Sequence, residues 1–184
     1  MGENDLKKFL LSLAALTFVF GLAACSSNSG EKTAKKDTKT TEEASAPKVD
    51  VKKELVRFYM DLGNRINAKD ADLNAYMAKA SKEDAKPEEL PTAEDRAKAS
   101  ASAAAVAAEL NSYQVPVELK DQKADLEAAI KDYAASYQAK ADELKKDKPA
   151  FEAADATFAQ GEQKLAAVFE GAKLLAPSLG KQVD

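Results

Sequence analysis

From residue 49 to residue 177, apolar residues return every three or four positions, and no stretch alternates apolar with polar at a period of two. That spacing gives an α-helix one face to bury and leaves a β-strand none. Leu55, Tyr59, Leu62, Ile66, Leu73, Tyr76 and Ala80 predict a helix over about 50–81, with Asp50 as its N-cap. Lys69 interrupts that series, and the polar stretch 67–72 is where the helix would break. Pro87 and Pro91 make 82–91 a loop. Thr92-Ala93-Glu94-Asp95 then reads as a capping box in its Asp-containing form.

A second helix over about 93–113 places Ala99, Ala103, Val106, Leu110 and Tyr113 on one side. Its alanines favour helix formation, and their small side chains let a neighbouring helix approach closely; high helix propensity alone is the other reading. Val115-Pro116 reverses the chain into a third helix over about 117–146, striped by Leu119, Leu126, Ile130, Tyr133, Tyr137, Ala141 and Leu144. Asp147 is the expected N-cap of a fourth, with Pro149 in its first turn. Its stripe is Phe151, Ala154, Phe158, Gly161, Leu165, Val168, Ala172 and Leu175, Gly161 being a close-contact point or a kink. Pro177 ends it, and Leu179 and Val183 are placed to pack back. Four amphipathic segments joined by short connections predict an all-α domain over 49–184, an antiparallel up-down-up-down four-helix bundle.

Composition removes many chemistries. The chain has 184 residues, 32% of them charged, and a net charge of −4. That mild acidity carries no basic footprint for nucleic acid. With no His, the chain has no His-dependent catalytic triad, no His-ligated haem and no Glu-x-x-His di-iron site. One Cys makes neither an internal disulfide nor a Cys-rich metal site. No Gly-rich phosphate loop, nucleophile motif or cofactor signature is present, so no cofactor and no enzymatic activity are expected.

The first 24 residues have another character. Lys7 and Lys8 precede an apolar run at 9–20, although Glu3 and Asp5 dilute the basic end. Small residues follow in Gly21-Leu22-Ala23-Ala24-Cys25, and then the polar Ser26-Ser27-Asn28-Ser29-Gly30. This is the pattern of a secretory leader. The apolar run, about 16 residues, is shorter than the roughly 20 of a spanning helix. Leu22-Ala23-Ala24-Cys25 resembles the bacterial lipobox, and with the Lys/Thr/Glu-rich stretch after it the chain looks like a small helical lipoprotein of Gram-positive bacteria. To a cell-wall-binding lipoprotein family the folded part is similar only in architecture. The lipobox resemblance implies that the leader 1–24 is removed, that the Cys25 thiol receives a diacylglyceryl group and that the new N-terminus is acylated, by a fatty acid such as palmitate. The protein is then held at the extracytoplasmic face of the cell membrane, since two or three acyl chains anchor far more firmly than one. A plain leader with a chance Cys, or an uncut anchor, is the alternative.

Residues 26–48 mix Ser, Thr, Lys, Glu and Ala with almost nothing to bury, so together with Cys25 they are expected to form a disordered tether. As a flexible coil, the 23 residues of 26–48 span roughly 25–30 Å. In the helical part, Glu127 with Lys131, and Asp132 with Lys140, read as solvated surface charges. Asp70-Ala71-Asp72-Leu73-Asn74 opens like a calcium loop, but Ala75 stands where Gly is needed and Ser81 where Glu is needed, so no metal is expected. Tyr59, Tyr76, Tyr133 and Tyr137 lie at or near core-facing positions. They are either core residues with hydroxyls at the rim or the lining of a groove for a ligand. Arg57 and Arg65, eight residues apart on broadly one side of the first helix, are candidates for an anionic group. The leading expectation is a membrane-anchored, non-enzymatic module that binds an envelope component or protein partner. The alternative is a ligand-binding protein with an aromatic-lined pocket, serving uptake or sensing.

Overall fold

The computed structural model describes residues 50–183, and within them every regular element is helical. The elements are α1 (Val51–Asn67), α2 (Ala71–Ala80), α3 (Ala93–Ser112), α4 (Lys123–Glu143), α5 (Glu152–Gly171) and α6 (Gly180–Val183), with 3₁₀ turns at Pro87–Glu89 and Val117–Leu119. All belong to one unit, Ser45–Asp184. The expected leader 1–24, the Cys25 acceptor and the tether to residue 48 lie outside the described residues. α4 lies against both α3 and α5, α2 against α3, and α1 against α3, the second 3₁₀ turn and α6.

The first stripe forms two helices, broken within the 67–72 stretch. Leu55, Phe58, Leu62 and Ile66 bury one face of α1, but the next core-facing turn holds Lys69 and Asp70. The Lys69 and Asp70 amides both turn back to the Ile66 carbonyl (2.8 and 3.1 Å), which ends α1 and brings Asp70 inward. Ser102 on α3 satisfies the polar groups this opens. Its Oγ donates to the Lys69 carbonyl (2.6 Å) and accepts from the Leu73 amide in the first turn of α2 (3.4 Å). A neighbouring helix thus supplies the side-chain cap that helix starts require. Beyond the break, Ala80 is exposed rather than part of the buried face, while Phe58, one position from the expected Tyr59, is fully buried.

The start of α3 follows local chemistry. Thr92 Oγ1 accepts from the Asp95 amide (3.1 Å) and the Asp95 carboxylate accepts from the Thr92 amide (2.9 Å), completing the capping box. These bonds and the Lys79 ammonium hold the Asp95 carboxyl down at about 2. One face of α3 is close-packed: Ala99, Ala103 and Ala107 are buried while Ala101, Ala105 and Ala108 are exposed, and Ser100 Oγ donates to the Ala141 carbonyl of α4 at 2.7 Å. Ser136 of α4 donates to the Ala154 carbonyl of α5 at 2.7 Å. A side chain this short reaches a carbonyl of the next helix only where the two backbones nearly touch.

α4 and α5 are shorter than the apolar stripes suggest. Pro116 leads into a 3₁₀ turn, so α4 begins at Lys123 rather than near 117, and it ends at Glu143. Asp147 does not cap the next helix. Its carbonyl and that of Lys146 accept from Arg96 (3.3 and 2.9 Å), the Ala150 amide donates to Glu143 (3.2 Å), and α5 starts at Glu152. Pro149 disfavours helical geometry at Lys148, which delays the start. α5 stops at Gly171, six residues before Pro177. There Lys173 adopts a left-handed conformation (φ 59°), its amide meets the Glu170 carbonyl (2.8 Å) and the Leu174 amide meets the Phe169 carbonyl (2.9 Å). This is a Schellman stop. Leu175, expected on the buried face, is therefore 92% exposed, while Leu179 and Val183 return to the core.

Ser102→Ala is expected to lower stability by about 1–2 kcal/mol in urea unfolding, because the Lys69 carbonyl loses its donor and α2 its cap. Asp95 is ionised more readily folded than unfolded, so its contribution is present above its unfolded value near 3.9 and is lost as pH falls toward about 2. The stability difference between the native chain and Asp95→Asn should accordingly shrink between pH 4 and pH 2 in thermal melts.

Candidate functional site

After α5 the chain folds back as a strap, residues 172–183, across α1, α2 and α5. Its anchor is Glu162 on α5, whose Oε1 accepts from the amides of Leu179 (2.7 Å) and Gly180 (3.3 Å) and from the Tyr133 hydroxyl (3.2 Å). Tyr133 lies flat against Gly161, where an added Cβ would stand 2.8 Å from its ring, so Gly161 is a contact point and α5 continues through it. The strap is also tied to α1 and α2. Tyr59 donates to the Ser178 carbonyl (2.8 Å), Asn67 to that of Gln182 (3.0 Å) and Asn74 to that of Val183 (2.8 Å). Burial, and then the Glu162 charge, push the Tyr59 and Tyr133 phenols up, Tyr133 the further of the two. Both therefore stay protonated near neutral pH and act as hydrogen-bond donors.

Beside this strap a cleft of about 240 Å³ opens between α2, α4 and α5. Leu73 and Met77 of α2 form one wall, Tyr137 of α4 and Phe158 of α5 the other, and Gly180 and Val183 of the strap close one end. Its charges are a single pair, Lys140 Nζ and Asp155 Oδ1 at 3.0 Å. The Lys140 side chain is only 18% exposed and its ammonium stands 6.0 Å from the Tyr137 ring centre and 5.9 Å from that of Phe158, whereas Asp155 is 58% exposed. The lysine is thus fixed among rings, a favourable setting for a cation, and the aspartate is the solvent-facing member of the pair.

The tyrosines singled out by spacing do not form one groove. Tyr133 and Tyr137 both contact Phe158, with ring centres 4.8 and 6.3 Å apart, but only Tyr137 reaches the cleft. Tyr59 packs edge-on to Phe169 and serves the strap. Tyr76 faces a separate open hollow with Leu90, Arg96 and Pro149. The arginines are also apart in role. Arg57 pairs with Glu54 (2.7 Å), while Arg65 binds Asp61 (3.0 Å) and Glu109 (2.8 Å) over the Tyr113 ring, so its charge is already matched by two carboxylates.

Lys140, Asp155 and Phe158 were not legible as a group, because they lie on two helices and Lys140 has an acid on its own helix at Asp132. In the fold Asp132 pairs with Lys164 (2.6 Å), Glu127 with Lys123 (3.6 Å), and Lys140 turns to α5. The calcium-loop-like residues 71–74 lie in helix α2, and Asn74 is engaged with the strap. Among the described residues no cluster of three or more acidic, His or Cys side chains is arranged to hold a metal. No described helix is long and apolar enough to cross a membrane.

Compared with known proteins, the chain matches no family model, no curated protein and no solved structure.

Replacing Glu162 by Ala should free the strap, since two backbone amides lose their shared acceptor. Hydrogen exchange at residues 179–183 is expected to accelerate well beyond that of α3 and α4, with a loss of about 1–3 kcal/mol in global stability. Unchanged exchange there would mean that the strap is held by its apolar contacts instead.

Proposed function

We propose that this is a lipid-anchored protein of the extracytoplasmic face of the cell membrane, and that its helical domain is a non-enzymatic binding module. In this reading α1 and α2 together make the first member of an antiparallel up-down-up-down four-helix bundle, with α3, α4 and α5 as the others. The anchor rests on Leu22-Ala23-Ala24-Cys25, and residues 26–48 set the domain off from the lipid surface.

The observation that carries the binding role is the cleft at Lys140. It combines apolar side chains with one charge pair, the composition by which small-molecule sites hold and orient a ligand. The groups the cleft holds are an ammonium, a carboxylate, an amide and a phenol among apolar side chains, a set suited to gripping a ligand. A protein partner or envelope component is the second reading. Val56 and Met60, four residues apart on α1 and 46% and 48% exposed, favour it as an apolar strip on one helix face.

Metabolic labelling with a fatty acid tests the anchor. The native chain is expected to take up label and fractionate with membranes, and Cys25→Ser to do neither. Label retained on the Cys25→Ser variant would overturn the lipidation site.

A further inference from the structure

The Lys140–Asp155 pair lies at the edge of an apolar cleft, and each member faces it. A purely anionic ligand would take Lys140 from Asp155 and leave that carboxylate beside it, and a purely cationic one would meet the lysine. A molecule carrying both charged groups on one carbon can instead insert into the pair, its carboxylate on Lys140 and its ammonium on Asp155, so that one ion pair becomes two and no charge is left unmatched. The exposure difference suits this insertion. Asp155, the solvent-facing partner, swings aside on a short side chain while Lys140 stays fixed between Tyr137 and Phe158.

The remaining space is apolar and small. About 240 Å³ is the volume of about eight liquid waters, and it is bounded by Leu73, Met77, Phe158 and Val183. That suits one aliphatic side chain of leucine size. We propose that the cleft is a binding site for a free α-amino acid with an apolar side chain, its carboxylate held by Lys140, its ammonium by Asp155 and its side chain against Leu73, Met77 and Phe158. This deepens the ligand-binding side of the function proposed above and rests on it. Because Gly180 and Val183 form the end of the cleft, an occupant also touches the strap and ties it down.

Isothermal titration of the full chain with L-leucine, 4-methylpentanoate and 3-methylbutylamine separates the possibilities, since the last two carry the same apolar group with one charge each. Saturable binding of leucine is expected, with each single-charge analogue at least about tenfold weaker, as loss of one charged hydrogen-bonded contact implies. Lys140→Met keeps the aliphatic stem and Asp155→Asn changes an exposed side chain; each should weaken leucine about tenfold or more with an unaltered circular dichroism spectrum. If Lys140→Met does not fold, Asp155→Asn decides alone. Absence of saturable leucine binding, or leucine binding indifferent to Asp155→Asn, overturns the proposal. A cleft that takes 4-methylpentanoate as tightly as leucine also overturns it, while leaving the ligand-binding reading in place. The anchor is read by labelling at Cys25, so its failure is told apart from a failure here.

Discussion

The close approach of α4 to its two neighbours sets the geometry of everything else. Ser100 and Ser136 each bridge to a backbone carbonyl on the next helix, at opposite sides of α4, and Ala99, Ala103, Ala129, Ala134, Ala141 and Ala154 are buried around them. A buried hydroxyl must find a partner or lose stability, so these two bonds also select which turns of the helices face each other. Between these close contacts Val106, Leu110, Leu126 and Leu165 fill the core, and the aromatic rings of α4 and α5 are placed where a neighbour is small or a cleft adjoins. Tyr133 takes the first course, over Gly161. Tyr137 and Phe158 take the second, and the cleft is the space they border.

The break between α1 and α2 completes that arrangement. An unbroken helix from Val51 to Ala80 would carry its own backbone bonds through residues 67–70 and leave Ser102 without a role. With the break, Ser102 joins the pieces, and Asn67 and Asn74, on either side of it, both reach carbonyls of the strap. The strap in turn depends on a stop, the left-handed Lys173, which turns the chain before Pro177 can. Glu162 then receives two strap amides and the Tyr133 hydroxyl on one oxygen, joining α4, α5 and the C-terminal segment.

Much of the fold was legible in the sequence. The apolar spacing marks the helices, the Thr92 box marks the start of α3 within a residue, and the alanines of α3 announce close packing. The misreadings share a cause. Leu175 continues an apolar period past the Schellman stop of α5, and Ala80, the last residue of α2, leaves the buried face because the break at 67–70 starts a new helix; period alone registers neither event. Asp147 has the chemistry of a cap, yet Arg96, fifty residues distant, holds the carbonyls there and Pro149 postpones the helix. The candidate site was half visible: Tyr137 and Phe158 each belong to an apolar period, but they meet only across α4 and α5, and Asp155 reaches Lys140 from the other helix.

The sequence by itself determined the helical class, the capped starts of α1 and α3, and the leader-and-cysteine pattern from which the membrane anchor is proposed. These are local properties, written in spacing, capping residues and short motifs. Tertiary structure alone decided where the helices end, which charges pair and where the cleft lies. The reason is that a helix terminus, an ion pair or a pocket wall is settled by whichever group arrives from elsewhere in the chain: Ser102 at the α1–α2 break, Asp155 at Lys140, and the strap at the end of the cleft.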